Sequence, residues 1–224
     1  MSSISYSYYV TGPGDMVFSH ITDLMVTDVN GAAQLYSTTR YDGVLRQWDI
    51  DSGVLRIGED SAFAGGVMAG GTGSITALPM SGSQALLVGG GSGGALETVA
   101  LNADGSFGMT AALTSLPTAF EGFQFGANVG LSNGSQVIYG SLAGQNVLAR
   151  LIFDASGIFL GHTVLQDATQ DTTSGITASA TRAVAGQNFI VTTSTVQNGI
   201  TARAVDDAGD VISEVTIGAD QSLW

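Results

Sequence analysis

One glycine recurs through the chain at a fixed interval. Gly53, Gly105, Gly157 and Gly209 stand 52 residues apart three times running. A second series, Gly31, Gly82, Gly134 and Gly186, keeps the same period with steps of 51, 52 and 52 residues. Two independent turns holding one period describe a stack or ring of similar supersecondary units, and every other reading of the chain has to be compatible with that.

Within each period the local signals are β. The stretch Leu35 to Gly53, LYSTTRYDGVLRQWDIDSG, reads as strand, Asp-Gly turn, strand and a second turn. Asn-Gly and Asp-Gly between short apolar runs are strong hairpin signals, because the primed turns need positive φ. The first unit has apolar runs at Ile21 to Thr27, Leu35 to Thr39, Val44 to Ile50 and Val54 to Gly58. The same order repeats in units of about 75 to 113, 123 to 166 and 176 to 218, after a first unit of about 21 to 60. Four short antiparallel strands in about 52 residues is the size of a propeller blade. The expected fold is therefore all-β, a single β-propeller domain over residues 1 to 224 built from four four-stranded blades. The alternating segment Ile4 to Val10 is expected as a leading strand before the first blade. Two arrangements stay open: a closed four-bladed ring whose leading strand covers an outer edge, or part of a larger ring. In the second case another chain, a second copy or a further domain would cover the end faces.

Composition narrows the partners. Net charge is −13, only 11% of residues are charged, and all six basic residues are arginine. Such a surface repels nucleic acid and anionic membranes. No run approaches the roughly 18 apolar residues of a membrane span. There is no cysteine, so thiolate metal sites and disulfides are out. The N-terminus, MSSISYSYYV, has neither a basic start nor an apolar core, and no Sec-type signal is read there. Apolar residues make up 44%, enough for a substantial core. An acidic, lysine-free, Ser/Thr/Gly-rich surface suits a secreted or cell-surface protein.

The segments between blades and the loop between a blade's second and third strands should share one rim, where ligands are expected. The candidate binding residues there are Arg40, Tyr41, Asp42, Gln145, Asn146 and Asn198. In Asp49-Ile50-Asp51-Ser52-Gly53 two carboxylates are spaced as in a calcium loop, making Asp49 and Asp51 candidate calcium ligands. A turn that simply favours Asp and Gly explains the same residues. Arg46 and Arg150 each lie seven residues before the recurring glycine. They are expected at equivalent third-strand positions, pairing with carboxylates such as Asp49 or Asp154. Trp48 and Phe153 are expected to pack blade on blade. Tyr6, Tyr8 and Tyr9 read as cover for a blade edge or an aromatic patch for carbohydrate. His20 and His162 lie far apart in the repeat, no serine stands in a GxSxG elbow, and Gly70 to Ser74 lacks the lysine of a phosphate loop. No catalytic constellation can be assembled.

The stretch LYSTTRYDGVLRQWDIDSG resembles YVTN-type and lactonase-like propeller repeats. The acidic Gly/Thr/Ala-rich style is similar to the N-terminal propeller regions of type I-secreted, haemolysin-type (RTX) calcium-binding proteins of marine alphaproteobacteria. That resemblance implies export by a C-terminal signal. The calcium-binding nonapeptide GGxGxDxUx is absent: Gly89 to Gly94 has the glycines but no Asp. The expected function is a non-catalytic binding or scaffolding module for a protein or glycan, with no cofactor beyond possible calcium. The alternative is a lactonase-like hydrolase with its site in the central channel.

Overall fold

A computed structural model describes residues 21–39, 44–49, 56–62, 72–90, 96–120, 123–142, 147–165, 176–194 and 199–218. These form sixteen strands and a single 3-10 turn at Thr118–Phe120. The strands fall into four sheets of four, each an antiparallel meander in chain order. Blade 1 is β1 (Ile21–Val29), β2 (Ala32–Thr39), β3 (Val44–Asp49) and β4 (Arg56–Ala62). Blade 2 is β5 (Thr72–Met80), β6 (Ser83–Gly90), β7 (Leu96–Leu101) and β8 (Phe107–Ala112). Blade 3 is β9 (Gln124–Gly130), β10 (Gln136–Ser141), β11 (Leu148–Phe153) and β12 (Phe159–Val164). Blade 4 is β13 (Ile176–Val184), β14 (Gln187–Ser194), β15 (Gly199–Val205) and β16 (Val211–Gly218). The architecture is a β-propeller of four blades. No helix among the described residues is long and apolar enough to cross a membrane.

Each blade repeats its irregularities as well as its strands. The first strand bulges near its start, at Ile21/Asp23, Thr72/Ser74 and Ile176/Ala178, and opposite Tyr139/Gly140 in blade 3. The fourth strand bulges against the third at Gln47/Trp48, Val99/Leu101, Ile152/Phe153 and Ala204/Val205. A bulge sharpens local twist, and twist is what allows four narrow sheets to splay around an axis.

The core lies between blades rather than within them. Tyr36 and Leu45 of blade 1 pack on Ile75, Leu86, Val88 and Val99 of blade 2. Leu78, Leu87 and Leu96 of blade 2 meet Phe123, Ile138, Leu151 and Phe153 of blade 3. Val137, Tyr139 and Leu148 of blade 3 meet Ile190 and Val205 of blade 4. Successive residues of a strand serve opposite faces, so each blade carries two apolar faces and must stack to bury them.

The two glycine series do different work. Gly31, Gly82 and Gly186 have φ of 85°, 78° and 82° with nothing near the place a Cβ would occupy, so they supply backbone freedom alone; a Cβ on Gly134, φ 84°, would meet Ala155 of its own blade at 3.1 Å. Gly105, Gly157 and Gly209 have φ of 85°, 83° and 77° and are also pressed against the preceding blade. A Cβ on Gly105 would sit 2.9 Å from Gln34, one on Gly209 2.6 Å from Val137, and one on Gly157 would strike Met80. The 52-residue period is thus the spacing of a contact between neighbouring blades. The same turns are tied by hydrogen bonds. The Tyr36 hydroxyl donates to the Gly105 carbonyl (2.6 Å) and the Tyr139 hydroxyl to Gly209 (2.5 Å). Between blades 2 and 3 the Ser81 N–H donates to the Ala155 carbonyl (2.7 Å).

Candidate functional site

The expected rim residues Arg40, Tyr41, Asp42, Gln145, Asn146 and Asn198 lie outside the described residues, as do Asp51, His20, Tyr6, Tyr8, Tyr9 and the leading strand. Asp49 ends β3, its backbone paired with Arg56, and its side chain is likewise outside what is described. The three turns that repeat the Asp49 to Gly53 turn are described. In them the residue three before the glycine is Asn102, Asp154 or Asp206, and its carbonyl accepts the glycine N–H at 2.9 to 3.0 Å. Asp154 Oδ1 accepts from the Ser156 N–H and hydroxyl and from the Ile158 N–H; Asp206 Oδ1 accepts from the Ala208 and Asp210 N–H groups. These carboxylates are turn caps. The Ser156 hydroxyl, followed by the Ile158 N–H, holds the Asp154 carboxyl below its ordinary range. Among the described residues no three His, Cys, Asp or Glu side chains converge.

The two arginines correct the expectation of equivalence. Tyr36 pairs across the strands with Gln47, whereas Tyr139 pairs with Arg150. Both tyrosines face the next blade, so Arg150 faces it too. Arg46 pairs with Ser37 and points to the opposite face. One residue fewer separates this register position from the recurring glycine in blade 1, and a one-residue difference reverses the face. Arg150 donates to the Gly209 carbonyl and pairs with Asp210 of blade 4 at 2.6 Å rather than with Asp154. Arg46 is buried with Nη1 near the Thr39 hydroxyl (3.4 Å). Phe153 packs in the blade 2–blade 3 core as expected. Trp48 is buried on the face of blade 1 away from blade 2, its indole N–H donating to Ser37 Oγ at 2.8 Å. His162 lies against Phe120, ring centres 4.8 Å apart, and stacks on Phe159.

Two buried charges escaped the sequence reading. Arg203 occupies the position of Val99 and Leu151 in the other blades, and is 1% exposed. It donates to Thr192 Oγ1 at 2.6 Å and pairs with Glu214 at 3.2 Å, so its charge is matched. Glu97 pairs across the sheet with Val88 on the blade 1-facing side of β7 and is 1% exposed, with neither carboxylate oxygen hydrogen-bonded. Burial pushes its carboxyl above the ordinary value. The sequence signal was Glu in a run of apolar strand residues, LETVAL.

Among the described residues, clefts open between blades at two places. One of 310 Å³ lies on the tight-hairpin rim between blades 1 and 2, lined by Asp28, Asn30, Met80, Gln84 and Asn102. The other, of 570 Å³, is an outer groove between blades 2 and 3. Its walls are Ala111, Leu113, Phe153, Ile158, Phe159 and Leu160, with Thr98, Thr114 and Ser115. Its described lining holds no titratable side chain. β12, which borders it, is the outermost strand of its sheet, and Ile158 and Leu160 are 62% and 61% exposed. This groove offers mixed apolar and polar surface beside a strand edge.

No protein family and no curated protein matches the sequence. Solved structures do match in fold. The chain is similar to the Dos1 propeller with 17% identity and a TM-score of 0.54, over 88% of this chain and 47% of that one. It is similar to a candidate 6-phosphogluconolactonase from Bacteroides uniformis with 15% identity and a TM-score of 0.56, over 89% and 57%. It is similar to an α-L-arabinofuranosidase from Clostridium thermocellum with 15% identity and a TM-score of 0.56, over 86% and 71%. The chain spans about half the length of the first two of these. At such identities the likeness is one of fold, and the propeller neighbours include hydrolases.

Proposed function

We propose that the chain is a non-catalytic binding module that takes an extended protein segment into the groove between blades 2 and 3. The observation that carries this is the groove itself: 570 Å³, with Leu113, Phe153, Ile158, Phe159 and Leu160 in its wall, uncharged in its described lining, and bordered by the outermost strand β12. A peptide laid along such an edge gains main-chain hydrogen bonds, while Ile158 and Leu160 supply apolar contact. Selection of a displayed peptide library against the chain tests it. Enriched peptides should lose binding to Leu160→Asp while the melting curve of that variant is unchanged. Absence of enrichment, or binding indifferent to Leu160→Asp, counts against the reading.

Glu97 favours a second reading, a hydrolase of the lactonase type. A buried carboxyl with a raised pKa is a candidate general acid. Turnover of lactones or arabinosides that disappears in Glu97→Gln would support it; no turnover would remove it.

Placement on the cell surface or outside it rests on the acidic, lysine-free composition, and an RTX-type, type I-secreted context rests on the sequence resemblance alone. Calcium at Asp49 and Asp51 would raise the melting temperature over that in chelator.

A further inference from the structure

The inner strands touch in the order β1, β5, β9, β13, and among the described residues no comparable contact returns from β13 to β1. Two faces are therefore left over. On blade 4, the positions that carry buried Val137 and Tyr139 in blade 3 are Phe189 and Val191, only half-buried. The same face presents Ala180, Arg182 and Val184, all exposed, with Ile200 at 47% and Val215 at 64%. On blade 1, the face turned away from blade 2 leaves Leu24 at 56% and Val26 at 64% on the inner strand. Farther out on that face Ser37, Thr39, Arg46 and Trp48 are already buried. What remains open on blade 1 is thus chiefly the inner strand, and inner strands touch in every described pair of neighbouring blades.

The leftover faces also match in charge. Arg182 is the seventh residue of β13 and the exposed Asp28 the eighth of β1, strands of equal length and equivalent place. One oxygen of Asp28 accepts the Gly31 N–H at 2.8 Å, leaving the other for a partner.

We infer that two copies of this chain close one ring. The open face of blade 4 in one copy packs on the inner strand of blade 1 in the other, and the same contact repeats across a two-fold axis. The dimer is isologous, blade 4 of each copy meeting blade 1 of the other. It continues the existing blade-to-blade contact and yields eight blades, within the range that propellers adopt.

Sedimentation of the full chain, with crosslinking, tests this. The wild type should sediment as a dimer, and Arg182→Glu or Val26→Arg should raise the dissociation constant at least tenfold; at concentrations where wild type and variants are all monomeric their melting temperatures should agree, since both residues are exposed in the single chain. The chain has no cysteine, so single Leu24→Cys and Ala180→Cys proteins can be mixed and treated with a short thiol crosslinker. A crossed dimer should form from the mixture and from neither alone. A monomer at all concentrations, a dimer unmoved by both substitutions, or an internally linked monomer from the Leu24→Cys/Ala180→Cys double variant would overturn the inference. The last result would mean that the ring closes within one chain.

Discussion

Glu97 is the residue at which burial and charge conflict most plainly. Its carboxylate gains no hydrogen bond among the described residues and is removed from water. A group raised in the folded state binds its proton more tightly there than in the unfolded chain. The contribution of Glu97 to stability is therefore greatest below the ordinary carboxyl range and is lost as pH rises through the folded pKa. Glu97→Gln removes the charge and keeps the shape. It should leave low-pH stability nearly unchanged and raise stability at pH 7, since the charge that burial disfavours is gone while a polar group of the same shape stays buried. Denaturant midpoints at pH 4 and pH 7 measure this. Sequence alone could not reach it: LETVAL says strand, but whether Glu97 faces the neighbouring blade depends on a register that pairing sets. The same limit reversed Arg46, since counting back from a glycine assumes an invariant strand while the pairing in blade 1 is one residue shorter.

At the scale of the element, the hairpins were legible because their turn chemistry is local. Asn30-Gly31 has φ of 51° and 85°, the geometry that Asn and Gly favour. Blade 4 uses Ala185-Gly186 with φ of 50° and 82°, so an alanine occupies the left-handed region there. Ala185→Asn should stabilise the chain by about 0.5–1 kcal/mol, part of the left-handed penalty for a residue with a Cβ. Thermal melting of the variant checks the sign. The ties between blades were less legible, because they join positions some 70 residues apart. Tyr139 shares the Gly209 carbonyl with Arg150, whereas no other described residue donates to Gly105 beside Tyr36. Tyr36→Phe should therefore cost about 0.5–1.5 kcal/mol, a typical net hydrogen bond, and Tyr139→Phe less. Chemical denaturation of the two variants compares them; a larger loss at Tyr139 would count against the shared carbonyl.

For the whole molecule, the repeat fixes how blades meet, not only how many there are. Every core cluster spans an interface, so blades 2 and 3 are held on both faces by described neighbours and blades 1 and 4 on one. Stability in such an array is a sum of units and of contacts between nearest neighbours. The central claim is that the 52-residue glycine is a point of contact between blades. The direct test is the unfolding free energy of two alanine series. Gly31, Gly82 and Gly186 changed singly to Ala should each lose about 1–2 kcal/mol, the left-handed backbone cost. Gly209→Ala should lose about 1–3 kcal/mol more, because the new methyl also overpacks the stiff Val137 of the preceding blade, and Gly105→Ala and Gly157→Ala should lose a smaller excess, because the flexible ends of Gln34 and Met80 can move aside. Equal losses in the two series would contradict the account.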